Sequence, residues 1–388
     1  MPWKTTDVME QRIHFVVRAS QIGCNLSALC REFEVSRPTG YRWLRRYQAA
    51  ETVTELRELS RRPHHSPKRT RSEIEDLVEA CHRRHYGCGA KKLQVYLVQE
   101  AGLALPVITL HRILRRRGLL RQREALPGAT TRFERAAPNE LWQMDCKGPL
   151  GHGPTTCVPL TILDDHSRYV VALAPLTGTK AAPVYAALVQ AFTAYGLPEA
   201  MLMDHGTPWW STTNGYGLTW LSVALIEQGL RLHWSGVGHP QTQGKVERFH
   251  RTLKEGMDFV GVPACWEEWP DQLARFRRHY NEERPHEALG MQPPATRYRP
   301  SPRRYQPQPP AWEYPAGSLV RRLSAQGCLS WGSRYYFVCE ALARRFVQLD
   351  ELEGRLLVRY RHMYVREIDL RTQTTVAVVT PASPSCPL

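Results

Sequence analysis

The 388-residue sequence lacks the features of membrane-spanning, secreted and cysteine-paired zinc proteins. It has no run of about 18 apolar residues, which a membrane-spanning helix requires. Residues 1–15 contain no apolar stretch of the kind that signal peptides carry. The ten cysteines form no Cys-x-x-Cys pair. We therefore expect a cytoplasmic protein with reduced, mostly buried thiols.

Acidic residues are also few beside basic ones. The chain has 37 Asp and Glu against 52 Lys and Arg, which gives a net charge of +15 and a pI near 9.5. Such an excess favours a polyanionic partner. We find no basic amphipathic helix that would lie on a membrane surface, so we expect nucleic acid and no membrane.

One cysteine-containing segment has spacing that a metal could use. Cys81, His85 and Cys88 follow one another at i, i+4 and i+7, so a helix would present them on one face. Gly87 is expected to end that helix, and no fourth ligand is evident. Zinc usually takes four ligands, so core thiols and a surface histidine are the favoured interpretation.

Residues 1–60 are predicted to form a helix-turn-helix domain. Asn25 is a suitable N-cap for the second helix, whose core positions are Leu26, Leu29, Cys30 and Phe33. In the third helix Tyr41 and Leu44 are expected to face the core. That helix leaves four arginines for the DNA groove, where arginine bonds guanine edges and phosphates: Arg37, Arg42, Arg45 and Arg46. An ordinary three-helix bundle with a solvated basic face is the alternative.

Residues 67–125 repeat this pattern and predict a second helix-turn-helix domain, with or without a wing. Its last helix supplies further candidate DNA contacts, Arg112, Arg115 and Arg116, beside Arg117. Residues 61–71 and 121–138 are basic, turn-rich connections that could follow phosphates.

The rest of the chain predicts an α/β domain followed by an all-β one. Residues 136–298 place three strands before alternating helices and strands, an order that fits a ribonuclease-H-like fold. Residues 296–315 are rich in proline and arginine and predict an extended linker. Residues 316–373 alternate short apolar strands with glycine turns and predict a small β-barrel. The tail from Thr374 shows no clear structural pattern.

Three acidic residues lie in three different segments of the central domain. Asp145 and Asp204 follow apolar runs typical of strands, and Glu247 lies on a charged helical stretch. Phosphodiester chemistry uses carboxylates from separate elements to hold two hard cations about 4 Å apart, and Mg²⁺ prefers such oxygen ligands. These residues are therefore candidates for cutting and joining DNA.

The helical stretch around Glu247 has two faces. Gln243, Glu247, Arg251 and Lys254 recur at helical spacing, so they would present one carboxylate and two cations to DNA. The second face is an apolar stripe for the core, made of Val246, Phe249, Leu253 and Met257. A surface helix with salt bridges is the alternative for Glu247 alone.

Other polar residues in this domain are weaker candidates. Asp164 and Asp165 lie at a hairpin turn, where aspartate is common for geometric reasons, so we interpret them as structural. His239 and Lys245 are expected to contact phosphate or target DNA, with solvated loop residues as the alternative. The segment Arg284-Pro285-His286 receives no role.

At this point the chain resembles a known family, the DDE-type insertion-sequence transposases, whose catalytic core is shared with retroviral integrases. The ordered set of motifs carries this resemblance. The motifs are WQMD at 142–145, LDDHSRYVV at 163–171, MDHG at 203–206, HPQTQGKVERFHRTLKE at 239–255 and YNEERPHEALGMQPPATRY at 280–298.

The resemblance implies that Asp145, Asp204 and Glu247 are the catalytic metal ligands. It implies two ions of Mg²⁺ or Mn²⁺ per active site, hydrolysis at element ends, and transfer of the freed 3′-hydroxyl into target DNA. Double-stranded DNA is the implied partner, as element ends and as target. A homo-oligomer on DNA, in the nucleoid of a prokaryotic cell, is expected. No nucleotide cofactor is expected.

Two departures from the family pattern stand out. The second acid is followed by His205 where the family usually has asparagine, and 42 residues (205–246) separate Asp204 from Glu247, more than in common members. Neither removes a ligand, so we expect an active enzyme. A DNA-binding regulator with an inactive core and a ribonuclease-H-type hydrolase of RNA–DNA hybrids are the alternatives.

Overall fold

The computed structural model describes residues 7–49, 53–58, 69–85, 88–120, 134–211, 217–235 and 244–381. The chain divides into two compact units, Met1–Thr70 and Arg71–Leu388. No helix in the described part is long and apolar enough to span a bilayer.

The first unit is a group of three helices followed by a single 3₁₀ turn. The helices are α1 (Val8–Ala19), α2 (Leu26–Glu32) and α3 (Arg37–Gln48), and the 3₁₀ turn is Val53–Leu56. As predicted, Asn25 is an N-cap, and its side-chain oxygen accepts a hydrogen bond from the Ala28 amide at 3.2 Å. Side chains from all four elements form the core, namely Phe15, Val16, Leu29, Cys30, Trp43 and Leu56.

The predicted inward face of α3 is wrong. Tyr41 is 48% exposed and Leu44 is only half-buried, whereas Trp43 is buried. Gly40 explains the orientation, because a Cβ there would lie 2.5 Å from the Cys30 sulfur and 2.9 Å from the Phe15 ring. The bare glycine lets α3 approach α1 and α2 closely, and the tryptophan three residues later then faces the same core.

The second unit begins with another three-helix group. Its helices are α4 (Ser72–Arg84), α5 (Ala90–Ala101) and α6 (Val107–Arg116). Their core contains Val78, Cys81, Leu93, Leu97, Leu110, Ile113 and Leu114. Residues 69–85 and 88–120 contain no strand, so no wing is seen in the described part of this group.

A mixed five-stranded sheet with helices on both faces follows, which confirms the predicted α/β core. The strand order is β3-β2-β1-β4-β7; β1 to β3 are antiparallel, whereas β4 runs parallel to both β1 and β7. The strands are β1 (Trp142–Cys146), β2 (Val158–Asp164), β3 (Val170–Leu176), β4 (Ala200–Met203) and β7 (Arg231–Trp234), and a short ribbon pairs β5 (Trp210–Ser211) with β6 (Gly217–Leu218).

The helices of this core belong to two hydrophobic clusters. Helices α7 (Ala181–Tyr195) and α8 (Trp220–Glu227) pack with Trp142 and Ile162. On the other side, α9 (Gly244–Val260) and α10 (Trp269–Arg278) pack with strands β2 and β3. The apolar stripe predicted for α9 is buried there. A short π-helical turn, His279–Glu283, continues α10.

The C-terminal region is all-β as predicted, but it forms an open sheet and not a barrel. Five antiparallel strands are ordered β14-β13-β12-β11-β8, with β14 and β8 as edges, and β9 and β10 form a separate ribbon. The strands are β8 (Leu319–Arg322), β9 (Cys328–Trp331), β10 (Arg334–Phe337), β11 (Phe346–Leu352), β12 (Arg355–Tyr360), β13 (Met363–Asp369) and β14 (Thr374–Pro381). Strand β14 lies in the tail for which no structure was predicted.

The core of the second unit explains why this sheet stays open. The buried residues of the C-terminal sheet belong to the same hydrophobic cluster as those of α7 and α8. The apolar face of the sheet is therefore covered by the α/β core. Polar contacts support the packing, since the Tyr360 hydroxyl donates to Glu227 at 2.7 Å and Arg361 donates to the Glu227 carbonyl at 2.6 Å. A barrel would instead close on itself to cover that face.

The predicted linker 296–315 lies along this core. Its Arg303 donates hydrogen bonds to the carbonyl oxygens of Pro198, at 2.5 Å, and Gly229, at 3.0 Å. These contacts hold the segment against the ends of α7 and α8.

Candidate active site

Asp145 lies near the end of β1, at the centre of the sheet. Its partner across the antiparallel pair with β2 is Thr161. Burial, together with the negative charges of Asp204 and Glu247, raises the pKa of Asp145 to about 6. Asp204 and Glu247 are therefore close enough to Asp145 for their charges to act on it, although the three acids come from distant parts of the sequence.

Asp204 follows β4 directly, and β4 pairs in parallel with β1. The last paired residues are Gln143 and Leu202, so Asp145 and Asp204 lie at the same level two residues further on. One oxygen of Asp204, Oδ1, accepts a hydrogen bond from the Gly206 amide at 3.1 Å and another from the Trp209 indole at 2.5 Å. Adjacent parallel strands explain why these two acids meet.

Glu247 is exposed in the first turn of α9. The buried residues Val246 and Phe249 fix this helix against the sheet. Arg251 and Lys254 follow at helical spacing and are exposed too, so the predicted charged face lies on the solvent side. His239 and Gln243, predicted to contribute to DNA contact, lie outside the described residues.

His250 joins the helix to the strands and was missed by sequence reasoning. It is buried, its Nε2 lies 3.0 Å from the Thr161 hydroxyl, and its Nδ1 lies 3.7 Å from Asp145 Oδ2. Burial lowers the pKa of His250 to about 4, so the ring is neutral at pH 7. The sequence did contain a signal for this residue, because His250 follows Glu247 by three residues and so lies on the same side of the helix.

The chemistry of these side chains fits a divalent cation. Three carboxylates supply the oxygen ligands that Mg²⁺ and Mn²⁺ prefer. Within the described residues, no lysine or arginine forms an ion pair with Asp145, Asp204 or Glu247. Burial and the neighbouring carboxylates raise the pKa of Asp145, and the charge of Lys147 offsets this only in part. A bound cation would favour the ionised carboxylates.

Asp164 and Asp165 have the structural roles expected of them. Both are fully buried. Asp164 accepts hydrogen bonds from the Asn139 amide and from the Ser167 amide and hydroxyl, while Asp165 ion-pairs with Lys245 at 2.5 Å. Lys245 is thus bound to the hairpin, a role that competes with its predicted contact to DNA.

The structure gives His205 a packing role. Its ring lies edge-on to Trp210 with centroids 4.8 Å apart, and Trp210 packs against Trp234 at 5.2 Å. These contacts account for a histidine after the second acid, and they leave Asp204 in place.

The arginines predicted to bind DNA divide into two groups. Arg37, Arg42, Arg45, Arg112 and Arg115 are exposed. Two others are engaged within the protein. Arg46 donates to the Arg57 carbonyl at 2.7 Å, and Arg116 ion-pairs with buried Glu75 at 2.5 Å.

The segment Arg284-Pro285-His286 lies between the three-helix group of the second unit and the α/β core. Arg284 is buried and donates to the Cys88 sulfur at 3.6 Å. Nearby, His85 stacks on Tyr96 at 3.6 Å, with His279 at 5.9 Å from His85. Arg284 therefore packs between the three-helix group and the α/β core, a role that the sequence did not indicate.

The sequence pattern did not favour a zinc site at Cys81, His85 and Cys88. In the structure, a different set of three residues clusters there. Cys81, His85 and Glu100 have ligand atoms within 4.8 Å of one another, whereas Cys88 is directed to Arg284. Glu100 already bonds His85 and ion-pairs with Arg84 at 2.6 Å, and burial raises the pKa of Cys81 to about 11. The hydrogen bond to His85 and the ion pair with Arg84 account for the position of Glu100 in this cluster.

Comparison with known families agrees with this geometry. Residues 135–240 and 228–294 each match a family described as integrase core domain, and residues 6–56 match a homeodomain-like domain. The matches cover the acidic cluster and the first three helices. They confirm the predicted N-terminal helix-turn-helix region and the integrase-type core.

Two insertion-element proteins are similar in sequence. One is an uncharacterized 31.7 kDa protein of insertion element IS407 from Burkholderia multivorans, 29% identical over 220 residues, which are 54% of this chain and 69% of that protein. The other is an uncharacterized 39.2 kDa protein of IS476 from Xanthomonas euvesicatoria, 29% identical over 158 residues. That match spans 41% of this chain and less than half, 44%, of the relative.

Solved structures from two retroviruses also resemble this chain, with low TM-scores. The catalytic core domain of HTLV-2 integrase in complex with magnesium is 15% identical, with a TM-score of 0.32 over 42% of this chain and 97% of that one. A simian T-cell lymphotropic virus intasome chain is 17% identical, with a TM-score of 0.36 over 81% of this chain and 99% of that one.

Proposed function

We propose that this chain, which is similar to insertion-sequence transposases and carries an integrase-type core, binds element ends, cleaves DNA there and joins the 3′-hydroxyl to target DNA. The observation that carries the proposal is the convergence of Asp145, Asp204 and Glu247 from two parallel strands and a helix. The exposed Arg251 and Lys254 on the same helix supply positive charge for a DNA backbone beside them.

The three carboxylates would hold divalent cations, two of Mg²⁺ or Mn²⁺ per site. Such ions activate the attacking oxygen and stabilise the leaving oxygen of a phosphodiester. The chain's own residues set the geometry. Neutral His250 lies between Asp145 and Thr161, and Trp209 and Gly206 hold Asp204.

The DNA partner would be recognised outside the core. Helix α3 is the third helix of a homeodomain-like group, and such helices enter the major groove. Its exposed Arg37, Arg42 and Arg45 are the side chains available to base edges and phosphates. Joining two ends to one target requires more than one active site, so we expect a homo-oligomer on DNA. Its bacterial relatives support a location on the nucleoid.

Strand transfer with purified protein and end DNA tests the proposal. Asp145→Asn, Asp204→Asn and Glu247→Gln should each reduce joining by about 10³-fold, since cation binding supplies several kcal/mol to such reactions. End binding should persist. The matched control is Asp258→Asn, an exposed acid on the same helix, which should keep activity.

Retention of near-normal joining by Glu247→Gln would contradict the assignment. Glu255, on the same helix as Glu247, would then be the next candidate. Glu227 is bound to Tyr360 at 2.7 Å and to Arg345 at 3.1 Å. If the unaltered protein bound end DNA but never nicked it with Mg²⁺ or Mn²⁺, the chain would be a DNA-binding regulator.

A further inference from the structure

The loop between β4 and β5, residues 204–209, holds the second acid through only one of its two carboxylate oxygens. Both hydrogen bonds to the Asp204 carboxylate end on Oδ1, from the Gly206 amide and from the Trp209 indole. Among the described residues, none donates to Oδ2. Within that part of the chain, Oδ1 accepts two hydrogen bonds and Oδ2 accepts none.

The Trp209 indole is a rigid donor. The residue is 2% exposed and belongs to the core that includes α7 and α8. Its carbonyl accepts a hydrogen bond from the hydroxyl of Ser222 on α8, and Thr219 caps that helix through the Ser222 amide. The bond from Ser222 holds the Trp209 backbone, and burial of the ring in the packed core restricts its rotation, so the N–H stays directed at Asp204.

Gly206 makes the second donor possible. A Cβ at this position would lie 3.0 Å from Asp204 Oδ2 and 3.1 Å from Oδ1. Any larger residue would press on the carboxylate. The bare backbone therefore lets its amide reach Oδ1 while Oδ2 keeps its place.

We infer that Trp209 is a positioning residue: its indole N–H fixes the rotation of the Asp204 carboxylate and reserves Oδ2 for a divalent cation. The inference rests on the proposed function, since it concerns the same site. Side chains that orient metal ligands in this way commonly change metal affinity by about 10- to 100-fold when removed.

Trp209→Phe tests the inference, with Trp234→Phe as its matched control. Both changes remove an indole from the same core, but the Trp234 N–H is buried and no described residue accepts it. Mn²⁺ binding to the full chain, measured by calorimetry, should weaken by about tenfold or more for Trp209→Phe. The control should stay within about twofold of the unaltered protein.

A second measurement separates positioning from loss of structure. Raising the Mn²⁺ concentration should restore strand transfer to Trp209→Phe, because only occupancy is impaired. If that variant does not fold, judged by its thermal midpoint, 3-benzothienylalanine in place of Trp209 keeps the ring shape and lacks the N–H. Unchanged Mn²⁺ affinity in the folded variant would overturn the inference.

Asp204→Asn distinguishes this failure from failure of the proposed function. If Asp204→Asn leaves Mn²⁺ binding intact, the acids do not form the metal site and both proposals fall. If Asp204→Asn abolishes binding while Trp209 variants bind normally, the metal site stands and the role of Trp209 is refuted.

Discussion

Helices α3 and α6 carry similar runs of arginine but differ in what surrounds them. In α3, the guanidinium groups of Arg42 and Arg46 lie over Trp43, at 5.4 and 5.2 Å from its ring. In α6 and the residue after it, Arg116 and Arg117 form ion pairs with acidic residues of α4. These pairs are Arg116–Glu75 at 2.5 Å, Arg117–Asp76 at 2.5 Å and Arg117–Glu79 at 3.1 Å.

For α6, the difference arises in helix α4, whose acidic residues face its arginines. Helix α4 places Glu75, Asp76 and Glu79 toward α6, and Glu75 is 1% exposed. A buried carboxylate needs a cation, so two arginines are engaged in holding the three-helix group together. A basic helix therefore indicates a DNA-binding surface only when its arginines lack carboxylate partners inside the protein.

The largest expected effect is a loss of stability, which we expect from the substitution Glu75→Ala. This change leaves Arg116 and Arg117 without their buried partner and should destabilise α4–α6 by about 3 kcal/mol. Hydrogen exchange at the buried residues Leu110, Ile113 and Leu114 measures it, as a fall in local opening free energy. Glu73→Ala, an exposed acid on the same helix, is the control. Equal protection in both variants would mean that the ion pairs of α6 are not structural.

The next effect concerns DNA recognition. Arg45→Ala should cost about 1–3 kcal/mol of binding to end DNA if Arg45 reads a base edge, with relaxed specificity at that base pair. Arg116→Ala should change affinity far less, since its guanidinium is held by Glu75. Titration of the full-length variants on end DNA and on scrambled DNA measures both. A larger loss of affinity from Arg116→Ala would reverse the contrast between the helices.

The smallest effect is on salt dependence. Removing one cation that neutralises a DNA phosphate lowers the slope of log affinity against log salt by about 0.9. Arg112→Gln should show a decrease of that size, because Arg112 is exposed. Arg117→Gln should leave the slope unchanged, because its charge is already paired. Slopes that change equally would show that both residues bind phosphate.

Local patterns predicted the elements well and the tertiary contacts less well. Periodicity and the Asn25 cap indicated the first helices, and the apolar stripe of α9 is buried as expected. The prediction of which side of α3 faces the core was wrong by one or two residues. Gly40 allows α3 to approach α1 and α2 closely, and helix propensity does not indicate such a contact. The prediction of a barrel was wrong because the alternation of apolar residues along a strand does not reveal which element covers the apolar face of the sheet.

By itself the sequence determined which residues could form a site: two acids at the ends of apolar strands and a third on one amphipathic helix. Hydrophobic periodicity is local, and it is enough to place carboxylates at strand ends and on a helix face. Only the tertiary structure decided their partners. His250 meets Thr161 across 89 positions and Arg116 meets Glu75 across 41. Such contacts depend on how strands and helices pack, because no local pattern specifies which distant side chain will share a buried space.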